Sequence, residues 1–356
     1  MNPPLTHQEI LRWLRETDAA RLAELWRRAD ETRRRHVGDA VHLRGVVELS
    51  NYCARQCAYC GLRAGNLQLA RYRMLASEIL QAARQAVKFG YGTVVLQSGE
   101  DQGLTSAWLA DIIRQIKRET TLAVTLSLGE RPLRELAAWR AAGADRYLLR
   151  FETSDRHLFD EIHPPMGKRK SDRIALLRQL QDLGYEVGSG IMVGLPGQTY
   201  ASVADDIALF RELDLDLIGL APFIPHPGTP LGSGFQIFPP VNGEQVPNHE
   251  QMVYKAIALT RLVRPDANIP VTTALATINR KNGRELGWQR GANLFMPNLT
   301  PLKYRRLYEI YPAKACIAEP DVNCLGCLNL RVQEIGRHLG QGPGGRWSRD
   351  LPPAQP

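Results

Sequence analysis

From Val46 onward, short runs of apolar and β-branched residues alternate with longer stretches whose apolar positions recur at helical spacing. The strand-like runs are Val46 to Leu49, Thr93 to Leu96, Ala123 to Leu128, Arg146 to Leu149, Gly190 to Val193, Leu215 to Leu220, Ile269 to Thr273 and Asn293 to Met296. Helical patterns lie between them at Ala76 to Phe89, Ala107 to Arg118, Arg134 to Ala142, Asp172 to Leu183, Ala201 to Leu213, Met252 to Val263 and Arg284 to Arg290. Strand followed by helix, repeated, predicts a parallel sheet, and eight such units are the number that closes one. The expected fold class is therefore α/β, a (β/α)8 TIM barrel over residues 41–300. Two amphipathic helices precede it within residues 1–40, marked by Ile10, Leu11, Leu14 and by Leu22, Leu25, Trp26, Ala29. An extension covers 301–339, and the Gly/Pro/Arg-rich residues 340–356 are expected to be disordered. Pro222 to Gly234 and Pro239 to Pro247 read as one long loop after the sixth strand. Functional groups are expected on the loops that follow strands, at the C-terminal face of the barrel.

Composition narrows the class without naming a chemistry. Apolar residues form 44% and charged residues 23% of 356, which is ordinary for a globular chain with a sizeable core. Met1 to Glu16 carries no unbroken apolar stretch and nothing later is long enough to span a membrane, so a cytoplasmic protein is expected. Lysine and arginine exceed the acids, 45 to 37, with Arg27, Arg28, Arg33, Arg34 and Arg35 close together. That run reads as a solvated helix face, because no stacking aromatics are interleaved with it as a nucleic-acid surface would require.

The six cysteines fall into two triplets, Cys53/Cys57/Cys60 and Cys316/Cys324/Cys327. Close thiol spacings favour metal or redox chemistry over a disulfide framework in a chain of this size. The first triplet, Cys53-Ala-Arg-Gln-Cys57-Ala-Tyr-Cys60, follows the first strand. Three thiolates fall one short of the set that closes a zinc knuckle or an electron-transfer cluster, and no fourth cysteine or histidine lies nearby in sequence. A four-iron cluster held by three ligands keeps one iron open, which is what separates catalytic from structural centres.

This spacing, with Tyr59 directly before the last cysteine, resembles the signature of the radical-SAM superfamily. The resemblance implies that Cys53, Cys57 and Cys60 hold a catalytic 4Fe-4S cluster whose open iron binds S-adenosylmethionine, which is reductively split to a 5′-deoxyadenosyl radical. It further implies cosubstrate contacts from Tyr59, from Ser98, Gly99 and Glu100 after the second strand, from Ser127, from Glu152 at the end of the fourth strand, from Arg173 on the next helix, and from Gly190 and Leu195 in a glycine-rich adenine-contact segment. An ordinary βα turn at Gln97 to Glu100 and a plain salt bridge between Glu152 and Arg173 are the alternatives that the residues alone leave open.

Longer segments carry a narrower resemblance, to the HydE family of FeFe-hydrogenase maturases: Arg71 to Met74, Val95 to Asp101, Val124 to Glu130, Ala144 to Arg150, Pro222 to Pro227 and Met296 to Thr300. That family implies a small organometallic or amino-acid-like substrate, here an iron complex with carbon monoxide, cyanide and cysteine, in a cavity lined by Gln97, Thr125, Arg146, Thr272, Thr273, Met296 and Tyr304. It also implies a flavodoxin or ferredoxin as electron donor and dealings with other hydrogenase maturases. Buried Thr125 and Arg146 would need an anionic, hydrogen-bonding guest or an internal polar network to satisfy them. The second triplet matches a pattern found in many HydE sequences, as an accessory 2Fe-2S or 4Fe-4S cluster, and zinc fits the spacing equally well. Phe151 departs from the family, where a polar residue such as histidine is expected. Methylornithine-synthase-like and biotin-synthase-like enzymes share the barrel and the first triplet, and a non-enzymatic iron-sulfur or zinc scaffold is the alternative of another class.

Overall fold

The computed structural model describes residues 5–167, 170–234, 243–318 and 325–346. Every strand expected from the apolar runs is present: β1 (Ala40–Ser50), β2 (Thr93–Ser98), β3 (Ala123–Ser127), β4 (Arg146–Leu148), β5 (Glu186–Val193), β6 (Leu217–Pro222), β7 (Pro270–Val271) and β8 (Leu294–Phe295). They pair in parallel in the order β6-β5-β4-β3-β2-β1-β8-β7. The ring closes through one bridge, Leu217 opposite Asn268, where Ile218 N donates to Asn268 O at 2.9 Å and Asn268 N to Asp216 O at 2.9 Å. Strand interiors read as continuous apolar runs because helices cover the outside of a parallel barrel and side chains fill its inside. Val47, Val94, Val124, Val187 and Leu220 are accordingly fully buried.

The two leading helices, His7–Arg15 and Ala19–Val37, form as their periodicity predicts. Thr6 and Glu9 make a reciprocal capping box at the first, and Asp18 caps the second by accepting from Arg21 N. Their apolar faces, with Ile10, Trp13, Leu14, Leu22 and Leu25, pack on the outer helices Tyr200–Glu212 and Glu250–Val263. Lys255 Nζ reaches in to donate to Leu14 O at 2.9 Å.

Two parts of the chain depart from expectation. A short helix, Arg156–Ile162, follows β4 where the sequence pattern predicts no element, and Asp155 caps it through His157 N and Leu158 N. The chain from Gly340 was expected to trail off, yet residues 340–346 close the barrel's N-terminal mouth. Strand β9 (His338–Leu339) first pairs with the start of β1. Arg44 Nη2 then donates to Gly344 O at 2.7 Å and Thr93 Oγ1 to Pro343 O at 2.8 Å. Arg346 pairs with Asp214 and Asp266, both at 2.9 Å. Gly92 is needed there, because a Cβ on it would meet Gly342 O at 1.8 Å. Residues 347–356 lie outside the described part. Of the long loop expected after β6, residues 223–234 and 243–247 are described, and apart from a one-residue bridge of Gln245 to Thr199 they hold turns and irregular chain.

Candidate active site

The three cysteines of the first triplet line one cavity of about 250 Å³ at the C-terminal end of the strands. Its loop is pinned from several sides. Arg71 Nη1 donates to Asn51 O (2.6 Å) and Leu62 O (2.8 Å) and its Nη2 to Arg63 O (2.8 Å), so one guanidinium ties both ends of the loop together. Ala54 N donates to Glu100 O at 3.0 Å and Ala58 N to Ile162 O at 2.8 Å, which fastens the loop to the β2 turn and to the short helix. Gly99 permits the first of these approaches, since a Cβ there would stand 2.4 Å from Tyr52 O.

Burial raises all three thiols, Cys60 to about 12, and neighbouring thiols add to the effect at Cys57 and Cys60. Left to itself the pocket disfavours thiolates, so a bound cation is what would make these residues good ligands. An iron-sulfur cluster supplies such positive charge, and the donor set fits it.

Beside the thiols stands a charge network with almost no access to water. Arg55 Nε meets Glu100 at 2.5 Å and its Nη2 meets Glu130 at 2.9 Å; Arg173 Nε meets Glu130 at 3.1 Å and its Nη2 meets Glu100 at 3.5 Å. Burial works to raise both acids. At Glu130 the guanidinium of Arg173, the Ser171 hydroxyl and the guanidinium of Arg55 outweigh it and hold the carboxyl well below its usual range. At Glu100 burial wins, against the pull of Arg173 and Arg55. Arg173 is therefore not the simple partner of Glu152 that the bland reading offered.

Glu152 pairs instead with Arg150, whose Nη2 stands 3.0 Å away, and it has the left-handed backbone φ of 65°. A glutamate in that conformation costs on the order of 1 kcal/mol or more, so surrounding contacts must hold it. They do: Glu152 N donates to Gly190 O at 3.0 Å and Met192 N donates to Glu152 O at 3.1 Å, turning the carboxylate toward the cavity.

Of the residues expected around the cosubstrate, Tyr59, Ser98, Gly99, Glu100, Glu152 and Arg173 line this cavity. Ser127 ends β3 opposite Gln97 and is not on the wall. Gly190 lies in β5, where a Cβ would meet Gly219 O at 2.0 Å, so it serves the close approach of β5 to β6. Leu195 is fully buried in an apolar cluster with Ala58, Met192 and Phe223, against which Tyr59 packs.

The expected substrate wall is rearranged more thoroughly. Gln97 is on it. Arg146 and Thr125 sit at the opposite end of the barrel: Arg146 Nε is held by Glu186 at 2.6 Å and its Nη1 by Thr93 Oγ1 at 2.9 Å. Thr272 caps the helix Thr273–Ile278 by accepting from Leu275 N, and neither it nor Thr273 or Met296 reaches the cavity. Tyr304 stacks on Tyr72 with centroids 4.6 Å apart and donates to Glu78 at 3.0 Å, facing away. In their place the wall has Arg55, Arg150, Met192, Phe223, Tyr308 and Tyr311, which the sequence reading did not single out. Phe151, the noted departure, is buried against Phe210 at 5.7 Å, on the other side of its strand from the cavity.

In the second triplet, Cys316 is buried with its Sγ 3.7 Å from Asn298 Nδ2, and Cys327 lies in the helix Leu325–Glu334. Cys324 falls outside the described residues. Among the described residues no helix is long and apolar enough to cross a membrane.

Residues 47–210 match the family model of the radical SAM superfamily. The curated HydE subunit of the [FeFe] hydrogenase maturase from Thermotoga maritima is 46% identical over 322 residues, covering 90% of this chain and 88% of that protein. A 3-methylornithine synthase from Methanosarcina acetivorans is 26% identical, covering 72% of this chain and 70% of that protein. Among solved structures, methylornithine synthase superposes with a TM-score of 0.78 at 22% identity, covering 96% of this chain and 95% of that one, and the maturase HydG with 0.75 at 17%, covering 94% and 72%. These two share the fold. The cysteine-lined cavity and the extent of the Thermotoga match together place the chain in the HydE family of radical-SAM enzymes.

Proposed function

We propose that this chain is a radical-SAM maturase for the active-site cluster of an FeFe-hydrogenase. The observation that carries the reading is the convergence of three cysteines, Glu152 and Arg150 on one cavity, in a chain 46% identical to a curated HydE over nine-tenths of its length. Cys53, Cys57 and Cys60 would hold the 4Fe-4S cluster, and when bound it supplies the electron that splits S-adenosylmethionine. Glu152 accepts hydrogen bonds from ribose hydroxyls, and the backbone at Ser98 to Glu100 meets the methionyl ammonium. Tyr59, Met192 and Phe223 offer the flat apolar slot an adenine needs. Tyr308, Ile310 and Tyr311 add largely apolar wall, which a bound cosubstrate would use to displace water from the reacting centre.

Arg150 takes the role the sequence reading gave to Arg146. It orients the anionic substrate, a small iron complex carrying carbon monoxide, cyanide and cysteine. A flavodoxin or ferredoxin delivers the electron, and other maturases supply and receive the iron complex. Cys316, Cys324 and Cys327 hold an accessory iron-sulfur or zinc site, a reading that rests on their spacing.

In vitro maturation tests the proposal. Apo-hydrogenase incubated anaerobically with the remaining maturases, S-adenosylmethionine and reductant should become active only when this chain is added. Full activation without it, or 5′-deoxyadenosine release that never yields active hydrogenase, would move the chain to another branch, the methylornithine-synthase type first.

A further inference from the structure

His163 is a buried imidazole that the reaction outlined above does not use. It follows the short helix Arg156–Ile162 as its C-cap, with its N–H donating to Phe159 O at 2.8 Å. Because Ala58 N is bonded to Ile162 O, the end of that helix is fixed directly on the cysteine loop. The ring lies 5.0 Å from that of Phe159, and 1% of the residue is exposed, so it has little freedom to turn away. Nδ1 stands 3.0 Å from Cys57 Sγ, and Nε2 stands 3.2 Å from Arg173 Nη2 and 3.4 Å from Glu130 Oε1.

Those contacts choose the tautomer. A guanidinium has only donors, so the Nε2 beside it must accept. In the neutral ring the proton then sits on Nδ1, where it points at the sulfur. Glu130 does not compete well for an Nε2 proton, being farther away and already bonded to Arg55, Arg173 and Ser171.

We propose that His163 is a positioning residue that donates an Nδ1–H···S hydrogen bond to the cluster ligand Cys57 and so raises the reduction potential of the cluster. A donor to a ligating thiolate stabilises the more negative, reduced state, and hydrogen bonds to sulfur are among the levers that set cluster potentials. Arg173 holds the imidazole in the donating tautomer from its far side. This rests on the cluster assignment and is independent of the hydrogenase reading.

The test compares reconstituted wild-type protein with His163→Asn, His163→Gln and His163→Phe by EPR-monitored redox titration. The Asn amide nitrogen can occupy the place of Nδ1, whereas that of Gln falls near Nε2. The potential should become more negative in the Phe and Gln variants, while Asn stays near wild type, all with four irons per triplet. In wild type labelled with 15N-histidine, pulsed EPR of the reduced cluster should find one weak nitrogen coupling. That measurement does not depend on any variant folding. Equal potentials in wild type and the Phe variant, or no histidine coupling, would overturn the proposal. A strong coupling of the size expected for a nitrogen ligand would also do so, because His163 would then bind iron itself. Failure of the wild type to hold any cluster at the triplet would remove the cluster assignment together with the inference.

Discussion

Arg146 opens β4 and Arg150 follows two residues after its end, and they do different work. At the floor, Arg146 is met by Glu186 and Thr93, and residues 343–345 lie across the opening beside Arg44. At the top, Arg150 touches Glu152 and Ile191 O but still faces a cavity that the chain does not fill. Both ends bury arginines. The floor answers its charges with its own chain, and the top leaves room for a guest beside them. A closed network stabilises the fold, while an open one with strained Glu152 and three raised thiols is poised for ligands.

Changing the two arginines should separate these roles. Arg150→Ala removes a charge-assisted contact at the reacting end, where each such bond is worth roughly 1.5–3 kcal/mol. Reductive formation of 5′-deoxyadenosine coupled to substrate should drop on the order of 100-fold, with the melting temperature within a degree of wild type. Arg146→Met strands the half-exposed Glu186 and should cost about 2 kcal/mol, or roughly 3 °C in Tm, while S-adenosylmethionine cleavage stays unchanged. The opposite pattern would mean that the floor is the substrate end.

A smaller effect is expected from ending the chain at Gly340. The cut removes Arg346 and the carbonyls that Arg44 and Thr93 use, so it should lower stability by about 1–2 kcal/mol without altering the iron content of the first triplet. Calorimetry and iron analysis read both.

The last effect depends on pH and concerns Asp206, which accepts from Ser154 N and Oγ. Burial raises it to about 7, so its folded form holds a proton that the unfolded chain gives up near its ordinary value. Its stabilisation is full at low pH and is lost as pH rises through about 7. Wild type should thus lose stability relative to Asp206→Asn between pH 5 and 8, read as a falling difference in Tm. Parallel pH profiles would contradict that assignment.

Much of this was legible in the sequence, and the misses have physical causes. Each barrel strand announced itself because both faces of a parallel barrel strand are covered, leaving uninterrupted apolar runs. The family resemblance put Arg146 inside the barrel, where it is buried. What it could not give was depth: two inward residues four apart are about 13 Å apart along a strand, enough to exchange floor for mouth. The helix Arg156–Ile162 escaped because two turns carry little periodicity, and His163 went with it. Residues 340–346 looked disordered because glycine and proline bury little surface of their own. Their order comes from the barrel, through Arg44, Thr93, Asp214 and Asp266.

Iron-edge anomalous diffraction from anaerobically reconstituted crystals soaked with S-adenosylmethionine tests the central claim most directly. The account predicts iron bounded by Cys53, Cys57 and Cys60, with the cosubstrate's ribose against Glu152 and the cavity beyond it facing Arg150. Iron closed off by a fourth protein ligand, or the cosubstrate bound at the Arg146 end, would contradict it.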